Sequence, residues 1–236
     1  MDRRRLGRKD GLAARTARVA APPAVLGFPV PQDAPSELDA LVARTAGPQP
    51  WRKVFHAVNA VVIAAIVAVS PWTDRTLLLA LGGAVAALLV LDLGRLASPP
   101  ANRAFFRLFG RLASPREARG IASSTWYAIG ILAAVAAFPR PEAVAGILVL
   151  GLADPAAAWI GRTRGRRPFL GGTLEGSLAF FLTAAAILVF SHPWPAALCA
   201  AVAGALAERR SWPLDDNLTI PVVSAGVLYA LGPILS

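Results

Sequence analysis

Two carboxylates and a group of arginines lie close together in the sequence between residues 151 and 177. Asp154 belongs to one apolar run, Glu175 falls in the first turn of the next, and a loop rich in glycine and arginine joins them. A carboxylate in hydrocarbon costs roughly 2.5–3.5 kcal/mol, so it usually faces a polar cavity. Guanidinium groups bind phosphate through paired hydrogen bonds. The stretch therefore predicts a site for a phosphate compound.

The loop from Gly161 to Gly172 is the candidate phosphate-binding loop. The helix after it, with Thr173 as the expected N-cap, offers free N–H groups and a positive dipole end. No Gly-Lys-Ser/Thr is present, so it is not a Walker A loop. The alternative is an ordinary basic loop between membrane helices. The predicted phosphate-binding residues are Gly161, Arg162, Arg164, Arg166, Arg167 and Thr173, with Arg52 and Lys53 at the start of the first apolar run.

Carboxylates at several helix ends predict a metal site. Mg²⁺ prefers oxygen ligands, often one or two carboxylates together with substrate phosphates. We predict that Asp154, with Glu175 or Asp216, holds Mg²⁺. Asp154 or Asp92 is the expected base for a substrate hydroxyl. The alternatives are a kink at Pro155 for Asp154, helix capping for Glu175 and Asp216, and a simple pair with Arg95 for Asp92.

The composition indicates what positions these residues. Hydrophobic residues make up 56% of the 236-residue chain, in runs long enough to cross a bilayer core of about 30 Å. The predicted fold class is all-α: a polytopic transmembrane bundle of about seven spans. Six of those spans are expected at about Val54–Ser70, Arg75–Leu91, Gly120–Phe138, Ala143–Ile160, Leu174–Phe190 and Leu218–Leu235, and one more follows the turn Ser191–Pro195 and ends at about Ala207.

Two segments outside the spans have their own character. Residues 101 to 112 place Arg103 and Arg107 on one helical face and phenylalanines largely on the other, which predicts one interfacial amphipathic helix. Residues 1–50 read as a basic, largely disordered cytoplasmic tail, and residues 51–236 as the transmembrane catalytic domain. Within the tail, Ser36 and Asp39 predict a short capped helix.

The positions of the basic residues predict the orientation. Of the 24 lysine and arginine residues, all except Arg75 and Arg140 fall on one side of the predicted layout. Cytoplasmic loops carry this excess, so the N-terminus is expected in the cytoplasm and the C-terminus on the opposite side of a cytoplasmic or inner membrane. The net charge of +10 follows this pattern, so we expect the lipid bilayer as a partner and no nucleic acid.

In order along the chain, five motifs resemble those of the CTP-dependent lipid kinases, the family of dolichol kinases, phytol kinases and CTP-using diacylglycerol kinases. The similarity extends from about Trp51 to the C-terminus. The matching residues are Arg52, Lys53 and His56; Asp92, Arg95 and Glu117; Asp154, Ala157 and Gly161; Thr173, Glu175, Gly176 and Ser177; and Asp216, Asn217 and Pro221. Two positions depart from the family pattern: Ala153 replaces a glycine, and Gly172 replaces a lysine. Arg166 or Arg167 would then supply the missing charge, or nucleotide affinity or identity would differ.

This resemblance implies an activity. It implies transfer of the γ-phosphoryl group of CTP, or another NTP, to a membrane lipid alcohol at the cytoplasmic face. The alcohol would be a polyprenol or dolichol, a phytol-like alcohol or diacylglycerol. It further implies that Asn217 contributes to the nucleotide site. Two alternatives remain: a CTP-dependent cytidylyltransferase that makes a CDP-activated lipid, and a non-catalytic lipid transporter.

Overall fold

The structure, a computed structural model, describes residues 36–47, 49–210 and 214–235. Most of the predicted basic tail lies outside these residues. The helices are α1 Glu37–Ala43, α2 Pro50–Val69, α3 Asp74–Ala97, α4 Pro99–Phe109, α5 Ser123–Ala137, α6 Arg140–Leu148, α7 Asp154–Arg164, α8 Leu174–Leu188, α9 Trp194–Arg210 and α10 Asp216–Leu235. A 3₁₀-helix covers Pro115–Ala118, a π-helical segment covers Val149–Ala153, and two short strands are β1 Pro168–Phe169 and β2 Gly172–Thr173.

The predicted all-α membrane architecture is confirmed. Four helices are long and apolar enough to cross a membrane: Pro50–Val69, Asp74–Ala97, Arg140–Arg164 and Asp216–Leu235. Helices α5 and α8 are apolar but shorter. Each has 15 residues and is therefore about 22 Å long, less than a bilayer core of about 30 Å.

The continuous helix from Arg140 to Arg164, made of α6, the π-helical segment and α7, is the centre of the bundle. In this helix 56% of the 18-residue apolar stretch is buried, against 28% or less of the corresponding stretch in the other three candidate spans. It packs against α2, α8 and α10. Its core includes Ile147, Val149 and Leu150, which are almost fully buried. The residues in the half of this helix that carries Asp154 are therefore held in place from several sides.

The kink at Pro155, considered from the sequence as an alternative explanation for Asp154, does not take Asp154 out of helical geometry. Asp154 has φ −63° and ψ −46°, which is ordinary right-handed helix. The π-helical turn before it has a wider hydrogen-bonding pattern, which accommodates a proline without breaking the helix. Because a π-helical turn holds more residues than an α-helical turn, it changes the face of the helix on which Asp154 lies relative to the residues of α6.

The predicted amphipathic helix corresponds to α4. Asn102 and Phe106 on this helix are buried, whereas Leu108 is exposed. Its polar face pairs with α1 through ion pairs from Arg103 and Arg107 to Glu37. Helix α1 begins with the predicted capping box, in which Ser36 and Asp39 bond each other's backbone N–H groups. The short helix therefore packs on α4.

Candidate functional site

A buried ion pair joins the first candidate span to the central helix. The ammonium group of Lys53 on α2 contacts the carboxylate of Asp154 at the start of α7. Their side chains are only 18% and 7% exposed. Gly151, three residues before Asp154, packs directly on Ala60 of α2, and this close approach brings the two helices into register. Two predicted site residues from distant parts of the sequence thus meet.

Two more carboxylates lie within electrostatic range of this pair. Glu208, near the end of α9, interacts electrostatically with Lys53, Asp154 and Asp216. Asp216, at the start of α10, in turn interacts with Lys53. We refer to Lys53, Asp154, Glu208 and Asp216 as the helix-end cluster. Glu208 is not among the site residues predicted from the sequence, although its position at the end of an apolar run was a detectable signal.

Asn217 binds the carboxylates of the two preceding aspartates through both its backbone N–H and its side-chain amide. Its backbone N–H lies 3.1 Å from Asp215 Oδ1 and 3.0 Å from Asp216 Oδ1, and its side-chain Nδ2 donates to Asp215 Oδ1 at 2.6 Å. Arg116 reaches Asp215 at 3.1 Å. Asn217 was predicted to bind nucleotide. In the structure its donors fix the direction of the Asp215 and Asp216 carboxylates.

Glu175, predicted as a metal ligand, binds backbone groups. Its Oε2 accepts hydrogen bonds from the N–H groups of Arg166 at 3.1 Å and Arg167 at 3.3 Å. The carboxylate therefore ties the start of α8 to the loop before it. Over residues 36–47, 49–210 and 214–235, no three His, Cys, Asp or Glu side chains are grouped so as to hold a metal ion. The structure does not bring Asp154, Glu175 and Asp216 to one centre.

The candidate phosphate-binding loop is a small β-hairpin, which the sequence did not predict. Strands β1 and β2 pair in antiparallel fashion, with Pro168 opposite Thr173. Leu170 and Gly171 at the turn have φ of 44° and 80°, as a type I′ turn requires. Thr173 caps α8 as predicted, because its Oγ1 accepts from the N–H of Gly176 at 3.2 Å. A Cβ on Gly161 would lie 3.0 Å from the same Oγ1, so α7 and α8 approach closely.

The four arginines predicted to bind phosphate are exposed around this hairpin: Arg162, Arg164, Arg166 and Arg167. Arg162 donates to the carbonyl of Ala158 on its own helix at 3.0 Å. Their guanidinium groups are accessible to a polyanion arriving from solvent, while the hairpin fixes the backbone that carries them.

Asp92 belongs to a separate buried network. Its carboxylate accepts from Arg95 Nε at 2.7 Å, the Ala122 N–H at 3.0 Å and Thr125 Oγ1 at 2.6 Å. Arg95 also donates to the carbonyls of Glu117 and Gly120, each at 2.7 Å. The predicted Asp92–Arg95 pair exists, and it anchors α3 to the segment before α5.

A mostly apolar cavity of 630 Å³ lies between α2, α3, α4 and α5. Leucines and phenylalanines of α3 and α4 contribute to its apolar wall, and its polar wall includes Arg52, His56 and Asp92. Arg52 Nη1 is buried and donates no hydrogen bond within the described residues. Lys53 and Asp154 both interact electrostatically with His56. The cavity and the helix-end cluster are therefore neighbours.

The fold and the site define a class of protein: a helical membrane protein with a charged site at its helix ends, next to an apolar cavity that suits a hydrocarbon chain. Among curated proteins, CTP-dependent diacylglycerol kinase 1 of Schizosaccharomyces pombe is 31% identical over 162 residues, which cover 59% of this chain and 74% of that protein. The protein of the same name from Eremothecium gossypii is 27% identical over 175 residues, covering 61% of this chain and 55% of that protein. No protein-family model and no solved structure matches. The chain belongs to the family of CTP-dependent lipid kinases.

Proposed function

We propose that this protein is an integral membrane kinase that transfers the γ-phosphoryl group of CTP to the hydroxyl group of a lipid alcohol. One observation carries the proposal. The helix-end cluster adjoins the apolar cavity of 630 Å³ through Arg52, the neighbour of Lys53, and it adjoins the hairpin of exposed arginines through Arg209, which contacts Glu208 and the position of Gly172. The arginines suit the triphosphate, the cavity suits the hydrocarbon of the acceptor, and the reacting groups would meet at the cluster.

Diacylglycerol is the first acceptor to test, because both relatives are named for it. Polyprenol, dolichol and phytol-like alcohols also combine a hydroxyl group with a long hydrocarbon. All of them would enter sideways from the bilayer, past the phenylalanines of α4 that line the cavity. CTP is the proposed donor, and other NTPs are to be compared with it directly.

The reaction moves one phosphoryl group. The hydroxyl oxygen of the lipid forms a bond to the γ-phosphorus, the bond from that phosphorus to the β–γ bridging oxygen breaks, and CDP leaves. The hydroxyl proton passes to a carboxylate. Asp154 suits this role, since Lys53 is its one ion-pair partner within the described residues. Asp92 suits it less, because Arg95, Ala122 and Thr125 already donate to its oxygens.

Mg²⁺ would enter with the nucleotide and be held by one or two carboxylates of the helix-end cluster, since no three such side chains are grouped as a metal site within the described residues. Glu208 Oε2 is buried and accepts no hydrogen bond, although Arg209 Nε lies 2.7 Å away. Asp154 and Asp216 supply further carboxylate oxygens, and a nucleotide-bound Mg²⁺ often needs only one or two. When bound, the ion would neutralise charge on the triphosphate. Glu175 would then act indirectly, by holding the hairpin.

We propose seven spans, with α5, α8 and residues 194–207 of α9 crossing the membrane beside the four longer helices. The site would face the cytoplasm, with residues 1–50 on the same side and the C-terminus opposite. Two features support this orientation. The predicted site residues lie at one set of helix ends. At the opposite set, Nε of Arg140 on α6 lies 2.8 Å from Oδ1 of Asp74 on α3. Residues 51–236 would form the catalytic domain.

The test uses the purified full chain in lipid nanodiscs. The chain is incubated with CTP or ATP, labelled at the γ- or the α-phosphate, and with a panel of lipid alcohols. We expect γ-label in a lipid phosphate monoester, with CTP as the better donor. Asp154→Asn should abolish the product, whereas Asp74→Asn, the same change at the opposite end of the bundle, should not.

Three results would contradict the proposal. Label from the α-phosphate in the lipid product would indicate a cytidylyltransferase. Movement of lipid between leaflets without nucleotide, and without any phosphorylated product, would indicate a transporter. Unchanged turnover in Asp154→Asn would remove the assigned mechanism.

A further inference from the structure

Gly172 leaves space for an arginine from a different helix. A Cβ added at Gly172 would fall on the guanidinium group of Arg209, which comes from the end of α9. The guanidinium therefore occupies the volume into which a side chain at position 172 would extend. Position 172 is also where this chain lacks the lysine of the family pattern.

Arg209 is held firmly in this place. Its Nε donates to Ser177 Oγ on α8 at 2.9 Å and lies 2.7 Å from Glu208 Oε2. Only 13% of the side chain is exposed. Nη1 and Nη2 donate no hydrogen bond to any residue in the described part of the chain. The two terminal nitrogens are therefore fixed in position, and their N–H groups remain available to donate to a ligand.

The surroundings of Arg209 connect both parts of the candidate site. On one side, its Nη2 lies 3.1 Å from where a Cβ on Gly176 would be, so the guanidinium covers the first turn of α8 beside the arginine hairpin. On the other side is Glu208, which interacts with Asp154, Asp216 and Lys53. An anion that spans the hairpin and the helix-end cluster passes Arg209.

We propose that Arg209 is a nucleotide-binding residue, whose terminal nitrogens donate to a phosphate group of the nucleoside triphosphate. A planar guanidinium with two free donors binds phosphate oxygens in pairs. Arg209 thereby places a positive charge where, in the family pattern, a lysine at position 172 would supply it. This inference rests on the proposed kinase function, and it assigns the charge missing at Gly172 to α9 instead of Arg166 or Arg167.

The first test compares Arg209→Ala with Arg210→Ala, using the full chain in nanodiscs. Arg210 is the adjacent residue, carries the same charge and is exposed. Loss of a charge-assisted hydrogen bond should raise KM for CTP about tenfold or more in Arg209→Ala. KM for the lipid alcohol should stay constant, and Arg210→Ala should resemble the wild type. Equal KM values for CTP in the two variants would overturn the proposal.

The second test exchanges the two positions. Gly172→Lys combined with Arg209→Ala places an ammonium group in the volume that the guanidinium leaves. We expect this double variant to recover most of the CTP affinity that Arg209→Ala loses. A double variant no better than Arg209→Ala would show that Arg209 acts through structure alone, and would overturn the proposal.

A third variant does not remove Arg209. Gly172→Ala displaces the far end of a flexible side chain, so the protein should fold normally and still lose CTP affinity. Binding of labelled CTP, measured without lipid, separates this inference from the proposed function. If the wild type binds CTP and phosphorylates no alcohol, the kinase proposal fails and the Arg209 comparison still decides the inference. If the wild type phosphorylates lipid and all variants bind CTP equally, the inference alone fails.

Discussion

Gly151→Ala is the variant that most directly tests how the site is positioned. A methyl group at residue 151 would lie 2.0 Å from the Cβ of Ala60, where about 4 Å is the ordinary separation of two carbon atoms. Helix α2 would have to move by about 2 Å relative to the central helix. Overpacking of this kind costs about 1–3 kcal/mol, more than the roughly 1 kcal/mol that alanine gains over glycine in a helix.

The same displacement should reduce activity. Lys53 is carried by α2, and Asp154 follows Gly151 by three residues, so the movement separates the ion pair. A misplacement of about 1 Å can cost on the order of 100-fold in rate. We therefore expect Gly151→Ala to lower both the thermal unfolding midpoint in detergent and the rate of lipid phosphorylation.

A compensating variant makes the test specific. Gly151→Ala combined with Ala60→Gly restores the space between the helices, so it should recover both stability and activity. Gly82→Ala on α3 is the matched control, because nothing lies within 4 Å of its added Cβ. A stable and fully active Gly151→Ala protein would refute the reasoning, as would a double variant no better than the single one.

Three other contacts are each tested with one variant. Asp92→Asn leaves Arg95 buried without its counter-charge, so the free energy of unfolding should fall by about 3–5 kcal/mol in denaturation experiments; wild-type stability would contradict this. Ala104→Phe narrows the cavity and should raise KM for the lipid alcohol severalfold but not KM for CTP; a rise in both would place the lipid elsewhere. The hydrogen bond from Arg107 holds the pKa of Glu37 below its ordinary value. A carboxylate whose pKa is lower in the folded state than in the unfolded state stabilises the fold at pH values above its unfolded-state pKa. This stabilisation is lost as the pH falls through the folded-state pKa. The protection of the α1 amides, measured as the exchange rate relative to the intrinsic rate at each pH, should fall over that acidic range, and Glu37→Gln should remove this pH dependence.

Much of the architecture was predictable because it depends on local properties. The observed limits of α2, Pro50–Val69, and of α10, Asp216–Leu235, lie within a few residues of the predicted spans. Hydrophobic length and helix-capping residues determine such limits, and both are visible in a single sequence. The type I′ hairpin was missed, since Leu170 gives no sign of the left-handed conformation it adopts.

The partners of individual side chains were less predictable. Glu175 and Glu208 look alike in the sequence, as carboxylates near the ends of apolar runs. Only the rotation of each helix decides that Glu208 approaches Asp154, whereas Glu175 binds the backbone of the hairpin. That rotation depends on close packing such as that of Gly151 against Ala60, and on the π-helical turn before Asp154. Neither feature has a local sequence signal.

The distribution of ion pairs explains why this end of the bundle suits a polyanion. The buried carboxylates Asp92 and Asp154 are each matched by a cation, Arg95 and Lys53. Three exposed arginines of the hairpin region form no ion pair within the described residues: Arg162, Arg164 and Arg166. These two carboxylates are thus compensated locally, and the positive charge of the three arginines faces solvent, where the proposed triphosphate would be attracted. At the other end Arg140 pairs with Asp74 at 2.8 Å, so the charge of this arginine is compensated there.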